Sequence, residues 1–196
     1  MANTQMRRIP RAALSPPWDQ AWDTLNGLTG EPAFVEVMAN APELLNFAMV
    51  EFYQKIFFEG RVAPRYKQLV RLRLSLAHGC RSCNLQNTPG AQAAGITSVQ
   101  LSQVEGPDRS SFDPADRAVL EFADEMILTN LSGRLDAALY TRLRTHFDDA
   151  EICELAMVMG FIGGMAKMAF VLDVVEKEDY CPFLPDPDPA LHIPGG

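Results

Sequence analysis

Two cysteines, Cys80 and Cys83, frame the tetrapeptide Cys80-Arg81-Ser82-Cys83, which follows Gly79 at the junction of two amphipathic segments. Residues three apart lie one helical turn apart, so both thiols share a face and can close a disulfide with little backbone movement. A dithiol so placed can donate two electrons and return as a disulfide. A closed zinc site would need four ligands, and Cys153, Cys181, His146 and His192 supply no second paired motif. Covalent haem would need His directly after Cys83, where Asn84 stands. A structural staple closing so short a loop would remove little entropy from the unfolded chain, which leaves two inert buried cysteines as the plain alternative. No cofactor and no metal are expected.

The neighbours of the pair bear on its reactivity. If Cys80 begins a helix, unpaired backbone N–H groups and the positive dipole end favour its thiolate, and Arg81 adds nearby charge. Asn87 follows Cys83 by four residues and lies over the same face, in reach of a substrate oxygen. His78 is the nearest histidine and can serve as a base if the chain turns at Gly79; equally, it can be the last-turn cation of the preceding helix. Lys167 reads either as an active-site cation or as a snorkelling surface lysine.

Helical periodicity runs through nearly the whole chain. Ser15-Pro16-Pro17 opens a segment ending at Gly30, and Pro32 to Met38 forms a short helix or turn. Helices are predicted near 42–59, 64–79, 80–94, 114–131 and 150–176, with shorter ones after the Thr97 cap and over 136–147. Val70 to Leu76 also alternates with period two, as a strand would. The Pro64 start and the Leu and Arg composition favour helix there. Pro89 and Gly90 should loosen the 80–94 helix, and Gly95 suits its left-handed cap.

At 196 residues and 47% hydrophobic content the chain suits one domain, placed at 1–181, with a Pro/Asp-rich tail or arm over 182–196. A formal charge of −8 and only short basic runs argue against nucleic-acid binding. The apolar stretch Ile152 to Val175 is interrupted by Glu154, Lys167 and Asp173, and no apolar signal region follows Met1 to Gln5. The expectation is a protein of a reducing cytoplasm without membrane partners. Ile152 to Val175 is apolar almost all round, and with Phe52, Phe57 and Phe58 it predicts a homo-oligomer, a dimer, trimer or hexamer.

The order of parts resembles the alkylhydroperoxidase D-like, carboxymuconolactone decarboxylase family over about residues 40–176. The resemblance is carried by Lys67 to Leu72, the Gly79 to Cys83 turn, the Ala91 to Gly95 helix end, Asp116 to Glu125, and Phe147 to Ile152. It implies an all-α, oligomeric fold with the CxxC at a helix start. For the peroxidase branch it implies that Cys83 attacks the peroxide and Cys80 resolves the sulfenic acid, with a Glu and a His relaying protons. Those two positions are Gln68 and Asn87 here, and neither amide titrates near neutral pH. The activity expected is a thiol-dependent peroxidase or disulfide oxidoreductase acting on a hydroperoxide, with a thiol reductant protein as a partner that could cycle it. Two alternatives stay open: a non-redox decarboxylase-like enzyme for a small carboxylate, using His78, Lys167 or Arg71, and a non-enzymatic member that has lost the relay.

Overall fold

In the computed structural model, residues 2–184 are described, and their regular structure is entirely helical. The order is α1 (Trp18–Thr29), α2 (Ala33–Met38), α3 (Pro42–Asn46) continuing as a π-helix (Phe47–Phe58), α4 (Pro64–Ala77), α5 (Arg81–Ala93), α6 (Ser98–Gln103), α7 (Pro114–Glu125), α8 (Ala137–Arg144) and α9 (Asp149–Val171). Proline at the first position opens α3, α4 and α7. Side-chain caps from Thr97, Asp113, Asp136 and Asp148 start α6 to α9.

Helix α4 is the hub, packing against α5, α7 and α9. One of its faces enters a core of Phe52, Phe57, Leu74, Val119, Leu143, Leu155 and Met159. Another meets Ala91, Ile96, Val104 and Leu120 through Leu69 and Leu72. The period-two pattern at 70–76 is therefore a helix buried on more than one side.

Three elements depart from the expected ones. The 42–59 helix widens to π geometry because its buried residues Ala48, Phe52 and Phe57 recur at four and five residues, which a wider turn aligns. Phe52 and Phe57 are thus core, 2% and 0% exposed, and only Phe58 of the three expected surface aromatics is half exposed. Helix α7 stops at Glu125 rather than 131, since the Leu128 N–H bonds to His78 Nε2 (3.1 Å) and the Asn130 side chain takes the Asp124 carbonyl (3.2 Å). Helix α9 stops at Val171 rather than 176, where Asp173 enters the left-handed region at φ 51°. Pro89, by contrast, lies within an uninterrupted α5.

Helix α9 has the length and hydropathy of a membrane span, but Ile152, Leu155, Val158, Met159, Ile162, Gly163, Ala169 and Phe170 are buried in the domain. Met157 and Val171 are 62% and 69% exposed. The expected tail lies mainly outside the described residues. The segment leading into it, residues 174–184 including the first three of the tail, does not continue α9 but crosses the chain at Gly79 to Asn84.

Candidate redox site at the start of helix α5

Gly79 sets the position of the cysteines. Its φ of 62° lets α4 close with the Cys80 N–H on the Ser75 carbonyl (3.1 Å) and the Gly79 N–H on the Leu76 carbonyl (3.0 Å). A side chain there would place its Cβ 2.5 Å from Cys181 Cα, so glycine is required by space as well as by backbone conformation. Cys80 immediately becomes the N-cap of α5, its Sγ accepting the Cys83 N–H at 3.3 Å. One residue thus ends one helix and starts the next.

Cys80 and Cys83 are joined as a disulfide with a Cα separation of 5.2 Å. Cys80 is fully buried, whereas Cys83 is half-buried and reaches the surface. The pair belongs to an apolar cluster with Ala33, Phe34, Val37, Ala166, Ala169, Phe170, Val174, Val175, Cys181 and Phe183. Residues 174–184 form a strap across it. The Glu176 N–H bonds to Ser82 Oγ (2.9 Å), the Ser82 N–H to the Glu176 carbonyl (3.3 Å), and the Glu178 N–H to the Gly79 carbonyl (2.8 Å). Arg81, expected to lend charge to the thiols, instead pairs with Glu176 across 3.5 Å and is largely solvent-exposed.

Further along α5 from the pair lies a layer of amides. Asn87 is 2% exposed, one turn along from Cys83, and its Nδ2 reaches the Arg71 carbonyl at 3.4 Å. Gln68 is 5% exposed and its amide rests on Gly90, where a Cβ would stand 3.0 Å from Oε1. Cys83, Asn87 and Gly90 share one face of α5, so the amides stack in order away from the sulfur. The oxygens Gln68 Oε1, Asn84 Oδ1 and Asn87 Oδ1 are buried without a hydrogen-bond partner, as is His78 Nδ1. Buried polar atoms left unpaired in this way are uncommon in folded chains and gather at sites that bind water or a ligand.

The carboxymuconolactone decarboxylase family is matched over residues 42–125, from the first residue of α3 to the last of α7, with both cysteines inside. YdfG of Bacillus subtilis (strain 168) is 25% identical over 134 residues, 67% of this chain and 88% of its own length. The alkylhydroperoxidase AhpD core structure of a peroxidase-related protein from Ralstonia eutropha JMP134 superposes with a TM-score of 0.69 at 18% identity, over 90% of this chain and 93% of that one. The debrominase Bmp8 gives 0.68 at 18% identity, over 90% and 94%. Residues 42–125 thus match the carboxymuconolactone decarboxylase family, and the fold is that of the alkylhydroperoxidase AhpD core.

Within that likeness the amide layer is the notable departure, since Gln68 and Asn87 occupy the two positions at which the resemblance implies a proton relay. The structure brings Gln68, Asn87 and Cys83 to the α4–α5 contact. His78 is placed differently from the base expected there. It is fully buried at the end of α4, its Nε2 accepts the Leu128 N–H, and its ring packs edge-on to Phe183. Burial, aided by the Arg73 charge, pushes its pKa down to about 4. Its imidazole is neutral at pH 7 and is spent on holding the α7–α8 loop.

A proton that the unfolded histidine takes up below about 6.5 is refused by the folded one until about 4. Stability attributable to His78 is therefore complete above pH 6.5 and drains away as pH falls through that window. His78→Gln, able to accept the same N–H, is expected to flatten the acid limb of a melting-temperature profile between those limits while leaving peroxide turnover at pH 7 within about twofold, because neutral imidazole of such low basicity contributes little as a base.

The two cations of the non-redox alternative lie over aromatic rings, Lys167 over one from the cluster around the cysteines. The Arg71 guanidinium lies over the Tyr53 and Phe57 rings at 5.1 and 5.5 Å, and exposed Lys167 lies over Phe183 at 4.8 Å. Two features escaped sequence reasoning. Cys181 packs in the cluster of the CxxC pair, its thiol donating to the His78 carbonyl at 3.1 Å. Lys67, 0% exposed, bonds to Glu154 at 3.0 Å and to the Ile56 carbonyl at 2.7 Å. A lone glutamate within the apolar run at 152–175 was the available signal, since a charge there demands a buried partner.

Proposed function

We propose that this protein is a thiol-dependent peroxidase for apolar organic hydroperoxides, with slow intrinsic turnover. The observation that supports it is the unequal burial of the two sulfurs at the start of α5: Cys83 is open to substrate and Cys80 is packed behind it. In the reduced protein the Cys83 thiolate attacks the distal peroxide oxygen, the O–O bond breaks, and the alkoxide leaves and is protonated to the alcohol. Cys83 is then a sulfenic acid. The Cys80 thiolate attacks the Cys83 sulfur, hydroxide leaves and takes up a proton as water, and the disulfide results. A small dithiol or a thiol reductant protein returns the two electrons by exchange.

The surroundings suit this chemistry. The α5 N-terminus favours thiolate over thiol, and Phe34, Phe170 and Phe183 in the surrounding cluster favour an apolar alkyl group. The amides of Gln68 and Asn87 can orient a peroxide through hydrogen bonds but cannot accept its proton. The working form in this reading is a homo-oligomer, supported by the exposed apolar residues Leu44, Phe47, Phe58, Met157 and Val171.

The test is mass spectrometry of the reduced protein. Iodoacetamide should label Cys83 well before Cys80, and one equivalent of cumene hydroperoxide should remove two hydrogens, localised to the Cys80–Cys83 peptide. Equal labelling of both cysteines, or peroxide that leaves the dithiol intact, would exclude the peroxidase reading and favour the non-redox one.

A further inference from the structure

Away from the thiols, an open cleft of about 670 Å³ lies between α4, the loop before α7, and α7 itself. Three guanidiniums line it: Arg73 from α4, Arg109 from the loop and Arg117 from α7. Arg73 Nε donates to Asp124 Oδ1 and Arg109 Nη2 to Asp124 Oδ2, each at 2.7 Å. One carboxylate thus holds two guanidiniums side by side, both only 13–14% exposed.

Each guanidinium has five N–H donors, and these bonds use one apiece. Arg109 Nε is buried with no acceptor at all. Arg117, one helical turn before Glu121 and two before Asp124, makes no side-chain hydrogen bond or ion pair among the described residues. Of the other carboxylates, Glu121 is engaged by Arg142 at 2.8 Å, and Glu105 lies exposed in the preceding loop. With Glu105, Glu121 and Asp124 also in the lining the three positive charges are balanced, and what the cleft holds in surplus is unused guanidinium N–H donors.

We propose that this cleft binds a small oxyanion, the carboxylate or phosphate head group of a metabolite, with Arg109 and Arg117 as its donors and Arg73 as a supporting charge. Planar guanidiniums pre-oriented by a shared carboxylate match the paired oxygens of such groups, and the buried Arg109 Nε–H gains its acceptor only when one is present. The site is separate from the Cys80–Cys83 pair, so it stands whether or not the peroxidase reading does. Electrostatically the two are in touch, because the Arg73 charge reaches His78 at the end of the same helix.

The test is isothermal titration calorimetry of the full chain with inorganic phosphate and, separately, with succinate, ionic strength being held constant with sodium chloride. Saturable binding of at least one probe, absent with chloride alone, is the expected result; the probe that binds more tightly identifies the head group. Arg117→Ala should weaken that binding at least tenfold without changing the melting temperature, since its side chain supports nothing else in the chain. Arg109→Lys, which keeps the charge and loses the Nε donor, should weaken it as well. Heats no larger than those of chloride, or undiminished affinity in Arg117→Ala, would overturn the proposal. So would light scattering that shows the cleft closed by a second copy, as a dimer that Arg117→Ala dissociates and phosphate does not.

Discussion

Exchanging Gln68 for Glu and Asn87 for His in one chain is expected to raise hydroperoxide turnover by roughly 100- to 10,000-fold, the contribution of a positioned general base. The geometry favours the gain. Gln68 is buried on Gly90, so a carboxylate of the same length would sit in a poorly solvated place where burial raises its pKa toward neutrality. An imidazole at 87 would stand one turn from Cys83, between that carboxylate and the sulfur. The double exchange is required, because a carboxylate alone would be a buried charge without a partner. Single-turnover oxidation of the dithiol, followed by stopped-flow, separates a faster Cys83 step from faster reduction. A folded double variant with an unchanged rate would show that the amides shape the pocket for other chemistry, and the non-redox reading would then lead.

The second large effect falls on stability. Glu154→Gln is expected to cost about 3–5 kcal/mol, because it strands the fully buried Lys67 ammonium. In a chain of this length that corresponds to a fall in melting temperature on the order of 10 °C. Glu154 gathers the 59–62 turn as well as the lysine: its oxygens accept the Arg61 N–H (2.9 Å), the Val62 N–H (3.0 Å) and Lys67 Nζ (3.0 Å). Burial pushes its pKa up, but the Val62 N–H, Lys67 and the Arg61 N–H together outweigh it, and the net shift is downward. A carboxylate with a depressed folded pKa contributes stability that is complete above its unfolded value near 4.3 and is lost as pH falls through the folded one. Calorimetric scans should therefore show the difference between the two proteins shrinking below pH 4.3. Restoring stability with Lys67→Met in the Glu154→Gln background would show that the stranded ammonium, rather than the turn, sets the cost.

The parts of this molecule that were legible in sequence are those written locally. Proline starts, acidic caps and three-to-four residue spacing disclose most of the helices, and Gly79 with the CxxC pair discloses the junction that positions the sulfurs. The π-helix is hidden because four- and five-residue spacing of aromatics also satisfies an ordinary helix. The end of α7 is set by a partner far along the chain, His78 for Leu128, which leaves no trace in the local pattern, and the end of α9 by Asp173, a non-glycine residue in the left-handed region. His78 shows how type and position can mislead together. It stands where a base could be, but its burial, knowable only from the fold, removes its basicity. Lys67 is the converse, a residue that reads as surface and is 0% exposed.

The strap over the cysteines also has a consequence in time. Glu176 lies 94 residues beyond the Ser82 hydroxyl it covers. A ribosome adding about 5–20 residues per second delivers Cys80 and Cys83 on the order of 5–20 s before the segment that will shield them. During that interval the nascent dithiol lacks one wall of its pocket and meets whatever oxidants surround it. Docking of the strap therefore follows synthesis of the pair, and until it docks the dithiol is open to oxidants and thiols on that side.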